Sequence, residues 1–172
     1  ELTLTNSEFG SIYVGGVAES YAGDVILTAH GCTLGSVYGC GADERAPDGK
    51  WFDITEPPAP AANTQFAAAG NVRITTDGSS ITAVDAKGSN NVAVTVNNAK
   101  EYRMLTLTGV KALAVNSGAA TVAALDTAAD VTASGVTSLD LSKMKNPALG
   151  SLSGMGKLIL GKEQTLHIAG AF

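Results

Sequence analysis

The sequence predicts an all-β fold, a right-handed parallel β-solenoid (β-helix) with irregular rungs of about 19–26 residues. Three observations predict it. A 25-residue repeat opens the chain, short segments of alternating apolar and polar residues recur along it, and the composition favours small and β-branched side chains. The 172 residues include 20 glycines, 45% hydrophobic residues and only 5% aromatics. A core made from such residues is narrow, which suits a thin coil rather than a globule filled by large rings.

The repeat appears when the first segment is moved forward by 25 positions. Leu2-Thr3 falls on Leu27-Thr28, and Phe9-Gly10-Ser11-Ile12-Tyr13 falls on Leu34-Gly35-Ser36-Val37-Tyr38. Gly16 falls on Gly41. Each unit reads as an alternating strand, a turn, a second short strand and then glycines. Strand periodicity sends Leu2 and Leu4 inward and Thr3 and Thr5 outward. A unit this short cannot bury its own apolar face, so neighbouring units must stack. Glycines mark the tight corners.

Strand signals continue at 72–74, 92–96, 105–107, 113–115, 139–141, 158–160 and 166–168. Leu113, Leu139 and Leu158 follow similar lead-in residues and share one frame. The stretch from Leu139 through Asn146-Pro147-Ala148-Leu149 to Leu152 reads as an imperfect leucine-rich repeat, so the C-terminal half is expected to grade into leucine-rich-repeat-like coils. Residues 119–129 are the best helical candidate, weakened by Gly118, Thr121, Val122 and Thr127. The whole chain is read as a single solenoid domain over 1–172. Two regular rungs fill 1–42, an inserted loop fills 43–63, and less regular rungs fill 64–172.

The stretches Gly10-Ser11-Ile12-Tyr13-Val14-Gly15-Gly16 and Gly35-Ser36-Val37-Tyr38-Gly39-Cys40-Gly41 resemble repeats of large adhesin-like surface proteins of anaerobic gut bacteria. Cys40 stands where such repeats carry glycine. The resemblance covers residues 1–42 and marks architecture, not activity. It implies a secreted, cell-surface parent protein with neighbouring domains as partners. It also implies contact with a host glycoprotein, a glycan or an immunoglobulin.

The insertion is the candidate binding site. Asp43, Glu44, Arg45, Asp48, Lys50 and Asp53 surround Trp51 and Phe52, and Glu56-Pro57-Pro58-Ala59-Pro60 follows as an extended spacer. Trp51 beside carboxylates can stack on a sugar and hydrogen-bond its hydroxyls. The plainer reading has Trp51 and Phe52 pinning the loop to the solenoid flank, and it carries more weight because one aromatic pair is a weak signal. Cys32 and Cys40 form a candidate disulfide, and two thiols packed as small hydrophobes are the equal alternative.

Other chemistry finds little support. Net charge is −5, which disfavours nucleic acid and anionic membranes as partners. No apolar run is long enough to insert in a membrane as a helix. His30 aligns with Thr5 at an outward position, and His167 alternates outward too. These two histidines lie in separate rungs, so no Ser-His-Asp set assembles. Neither a phosphate-binding glycine loop nor a dinucleotide fingerprint occurs. The acidic residues outside the insertion are scattered. The chain is therefore expected to be non-enzymatic, with no cofactor and no metal. A fragment of a carbohydrate-active β-helix enzyme is the rival reading, and a structural stalk the third. Thr-x-Thr pairs such as Thr3/Thr5 do not recur along the sequence, which argues against a flat ice-binding solenoid. The start at Glu1, without an initiator Met or signal segment, fits a mature chain or an excised piece.

Overall fold

The computed structural model describes residues 1–13, 24–38, 40–41, 66–67, 71–85, 91–104, 106–122, 125, 129–134 and 138–171. These residues form an all-β solenoid of stacked parallel strands. The first rung holds β1 (Leu2–Thr5) and β2 (Glu8–Tyr13), and the second holds β3 (Val25–His30) and β4 (Thr33–Tyr38). Short strands β5 (Cys40–Gly41) and β6 (Phe66–Ala67) follow. Next come β7 (Asn71–Asp77) and β8 (Ser80–Asp85), then β9 (Asn91–Asn97), β10 (Ala99–Met104) and β11 (Thr106–Thr108). The chain continues through β12 (Ala112–Val115), β13 (Gly118–Val122), β14 (Asp130–Ala133), β15 (Ser138–Asp140) and β16 (Ala148–Leu149). It ends with β17 (Ser151–Ser153), β18 (Lys157–Ile159) and β19 (His167–Ile168).

Three parallel sheets carry the fold. The longest has seven strands in the order β1-β3-β7-β9-β12-β14-β17. Two four-stranded sheets, β2-β4-β8-β11 and β10-β13-β15-β18, flank it. The 25-residue repeat is the ladder register itself: Leu2 pairs with Leu27, Phe9 with Leu34, Ile12 with Val37 and Tyr13 with Tyr38. Within the candidate helix over 119–129, residues 119–122 are instead part of strand β13, whose Thr121 and Val122 are β-branched and fit a pleated ladder; residues 123, 124 and 126–128 lie outside the described residues. The shared frame of three leucines also needs correcting. Leu139 and Leu158 are ladder neighbours, but Leu113 belongs to the long sheet and pairs with Val94 and Val131. Similar lead-in residues recur at different sides of the coil, so the frame mixed two sheets.

The core is a set of columns running along the solenoid. One column contains Leu27, Ile74, Val94, Leu113, Val131 and Leu152, each fully buried. A second contains Ala29, Thr76, Val96, Val115 and Ala133. Leu34 and Ile81 stack in the flanking sheet, as do Val37, Val84 and Leu107. Adjacent members of a column are about 4.8 Å apart. Each side chain therefore seals its neighbours, and the first rung, with only one neighbour, leaves Leu2 46% exposed.

A left-handed corner separates the long sheet from the next side. Asn6, Gly31, Gly78 and Asn98 occupy it with φ of 48°, 62°, 57° and 53°. Glycine and asparagine are the residues that enter this region at least cost. The corner amides bond along the stack: Asn6 N–H to His30 C=O at 2.8 Å, Gly31 N–H to Asp77 C=O at 2.9 Å, Gly78 N–H to Asn97 C=O at 3.1 Å. Beside it, Cys32 is a free, buried cysteine whose thiol donates to His30 C=O at 3.4 Å. The side chain of Cys40, the other half of the candidate disulfide, lies outside the described residues. Ser79 ties two rungs there, accepting from Cys32 N–H at 2.9 Å and donating to Ala29 C=O at 3.0 Å.

Thr76 is the exception in the core. It is fully buried between Ala29 and Val96, and its hydroxyl has no hydrogen-bond partner. A buried hydroxyl without a partner costs about 1–3 kcal/mol of desolvation. Thr76→Val keeps the shape and removes that cost. The variant is expected to be more stable by about 1 kcal/mol, read as a higher urea midpoint at unchanged slope.

Candidate functional site

The insertion predicted as the binding site lies outside the described residues, including Asp43, Arg45, Asp48, Lys50, Trp51, Phe52 and Asp53. Its base is described. Cys40 pairs antiparallel with Ala67, and Gly41 with Phe66. The chain leaves after β4 and rejoins the ladder at β7, where Leu27 pairs with Ile74, 47 residues on. The parallel register of the long sheet continues from β3 to β7 across the insertion, and β5 and β6 pair at its two ends.

The described residues offer a different surface, the outward face of the seven-stranded sheet. Inward side chains alternate with outward ones, so each outward position forms its own column. The central column is Thr3, Thr28, Thr75, Thr95, Ala114, Thr132 and Ser153. On one side runs Ile26, Arg73, Ala93, Ala112, Asp130 and Ser151. On the other side run Thr5, His30, Asp77 and Asn97. The three columns are mostly uncharged, with Arg73, Asp77 and Asp130 among them as charged members. Thr5 gives way to His30 and then Asp77, so the Thr-x-Thr pair is not carried from strand to strand.

Two side-chain ladders rim this face. At the strand starts, Asp24 Oδ1 accepts from Asn71 N–H at 2.9 Å and from Asn71 Nδ2 at 3.0 Å. Asn71 Oδ1 in turn accepts from Asn91 Nδ2 at 3.0 Å. The bonds from Asn71, backbone first, hold the Asp24 carboxyl below the usual aspartate range, and Arg73 adds to the effect. At the strand ends, Asp77 Oδ1 accepts from Asn98 Nδ2 at 2.5 Å, and Asn97 Oδ1 from Asn116 Nδ2 at 2.8 Å. Ser117 Oγ accepts from Asn98 N–H at 2.8 Å and donates to Asn98 Oδ1 at 3.1 Å. His30 Nδ1 lies 3.6 Å from Asp77 Oδ2, with the two side chains 48% and 40% exposed, so this pair is a weak surface contact. His30 is outward and exposed as its alignment with Thr5 predicts, and His167 is exposed too.

These ladders fix the rim residues in one geometry. The face thus presents hydroxyls along its central column and hydrogen-bonded amides along its rims. Sequence reading missed the column because the offsets vary. Thr28 to Thr75 spans the insertion, and later steps run at 20, 19, 18 and 21 residues. Only a register anchored on the buried column brings Thr75, Thr95 and Thr132 into line.

Among the described residues, no cluster of three or more His, Cys, Asp or Glu is placed to hold a metal ion. No described helix is long and apolar enough to cross a membrane. A scan against protein-family models gives no match to this chain, and searches of curated proteins and of solved structures give none either.

Proposed function

We propose that this chain is a non-enzymatic binding region of a bacterial cell-surface protein, and that the outward face of its long sheet engages a host glycan or glycoprotein. The observation that carries this reading is the seven-strand face with its central column of five threonines, one alanine and one serine. Hydroxyls and amides donate and accept alike, which matches the neutral hydroxyl-rich surface of a sugar chain. Side chains held by a rigid sheet and its rim ladders lose little freedom on contact, so weak bonds add up over several strands. The net charge of −5 favours such neutral partners over polyanions. The surface location rests on the resemblance of residues 1–42 to adhesin-like repeats. An immunoglobulin is the protein partner that the same resemblance suggests.

Glycan arrays and host-protein pull-downs of three chains test the reading. Wild type is expected to bind, Trp51→Ala to retain binding, and Thr75→Arg/Thr95→Arg to lose it at least tenfold. Loss in Trp51→Ala alone moves the site to the insertion. No binding by wild type to any probe leaves the stalk. Polysaccharide turnover that disappears with Asp48→Asn or Asp53→Asn overturns the non-enzymatic reading.

A further inference from the structure

Charge is unevenly spread along the chain. Residues 1–42 contain Glu1, Glu8, Glu19 and Asp24 with no Lys or Arg, whereas residues 141–172 contain Lys143, Lys145, Lys157 and Lys162 with one carboxylate, Glu163. Register brings three of these lysines together. Asp140 pairs with Ile159 before a turn, and Ala148 pairs with His167 after it. The offset is 19 residues on both sides, so the two connecting segments have equal length. Each turn residue therefore has a counterpart in the next rung. Lys143 corresponds to Lys162, Lys145 to Gln164 and Asn146 to Thr165.

Gln164 fixes the two turns against each other. Its Oε1 accepts from Gly161 N–H at 2.7 Å in its own turn. Its Nε2 donates to Leu141 C=O at 3.3 Å and to Met144 C=O, both in the other turn. A methyl at Gly161 would lie 3.4 Å from Ser142 C=O, so the two backbones are in close contact. Asp140 is engaged locally, where its Oδ1 accepts from Ser142 N–H at 2.9 Å.

The outer surface of the paired turns is basic and hydrophilic. Lys143, Lys145 and Lys162 are exposed, and so are Asn146, Glu163 and Thr165. Met144 and Pro147 are buried. Lys162 lies 3.8 Å from Glu163 with the side chains 91% and 84% exposed, a contact of little strength. Like charges held at equivalent positions of adjacent strands repel. A polymer with repeated anionic groups, laid across both rungs, relieves that repulsion.

The neighbours narrow the class of polymer. Residues 138–171 contain no Phe, Tyr or Trp to stack on a nucleic-acid base. The exposed turn residues are all polar, so none enters the apolar part of a lipid surface. Asn146 and Thr165 offer an amide and a hydroxyl, which suit sugar hydroxyls.

We propose that the paired turns bind an anionic polysaccharide, with Lys143, Lys145 and Lys162 meeting its carboxylate or sulfate groups. These residues belong to neither the long sheet nor its rims, so the site stands independently of the binding role given to that face. The net charge of −5 opposes a polyanion, and binding has to come from this local patch.

Heparin titrations of the 172-residue chain over a range of salt concentrations test this. Wild type is expected to bind at low salt. The log of its binding constant should fall against the log of salt with a slope of about −2 to −3, for three lysine contacts. Lys143→Gln/Lys162→Gln is expected to weaken binding about tenfold or more at low salt and to reduce the slope by about two. Lys111→Gln removes an exposed lysine from another part of the coil, and its affinity should stay within about twofold of wild type. Circular dichroism checks that each variant keeps its strands. Absence of heparin binding by wild type at low salt overturns the proposal. So does a double variant that binds like wild type, or an equal loss in Lys111→Gln, which would assign the effect to overall charge. Equal or tighter binding to single-stranded DNA or to phosphatidylserine vesicles overturns the assignment to a polysaccharide.

Discussion

Leu113→Ala is expected to destabilise the protein by about 2–5 kcal/mol. Leu113 is 1% exposed and sits between Val94 and Val131 in the longest buried column. Removing its branched end leaves a cavity as well as a lost transfer term. The surroundings cannot collapse into it. Val94, Val131 and Val115 are β-branched and stiff, and ladder bonds hold each strand at a set height. A solenoid also transmits stability only through nearest-neighbour interfaces. A defect in this interior strand therefore weakens the coupling of the rungs on either side of it, and the urea transition should broaden as well as move. Leu2→Ala is the matched control. Leu2 belongs to the same column but is 46% exposed at its end, so the cost should stay within about 0.5 kcal/mol. Equal losses in the two variants would show that the column does not carry the load assigned to it.

Gly35→Ala is the second large effect, expected to cost about 1–3 kcal/mol. A methyl group at Gly35 runs into the Gly10 carbonyl of the rung above. That carbonyl cannot step aside, because Phe9–Leu34 and Ser11–Ser36 pair the strands on either side. The damage should stay local. Amides of β1 and β2 are expected to exchange faster in hydrogen-exchange measurements, while those of β9 and β12 keep their protection. Gly10→Ala tests the opposite case in the same column. A methyl there meets nothing within 4 Å, so the change should fall within about 0.5 kcal/mol of zero. The two glycines are equivalent in the repeat and inequivalent in the stack, since among the described residues only a methyl at Gly35 meets a neighbouring rung.

That pair also shows what was legible in the sequence. The 25-residue repeat is a one-to-one map of ladder partners, because residues that stack in the same environment carry the same demands. Leu2 and Leu27 share a column, Gly10 and Gly35 share a crowded contact point, and Ser11 and Ser36 face outward together. Beyond residue 42 the map was harder to read. The insertion changes the offset, and rungs that turn by different side routes tolerate different lengths. Alternation still marked 72–74 and 92–96 as strands, and the structure buries Val72, Val92, Val94 and Val96 on their inner side. The frame linking Leu113 to Leu139 failed because a leucine after a Gly-Val lead-in fits any side of the coil equally well. Strand β13 escaped notice because Ala-rich segments suit a narrow coil as well as a helix.

The candidate site was less legible than the fold. Charge and aromatic content drew attention to residues 43–53, which stand out against a neutral background. The long outward face is chemically quiet by comparison. Its threonines look like ordinary strand residues until the register stacks them, and Asn71, Asn91, Asn97 and Asn116 look like turn residues until they bond in ladders. A surface made by repetition has no local signature. It exists only in the alignment of distant strands.

That alignment is best tested by through-space methyl contacts in solution by NMR. The buried column Leu27, Ile74, Val94, Leu113, Val131 and Leu152 should show cross-peaks between each member and the next, in that order. Members two steps apart lie about 10 Å from each other and should show none. The decisive peak is Leu27 to Ile74, which spans the insertion. Its presence with the ordered series is the predicted result. Its absence, or contacts that pair the strands antiparallel, would contradict the stacked parallel solenoid.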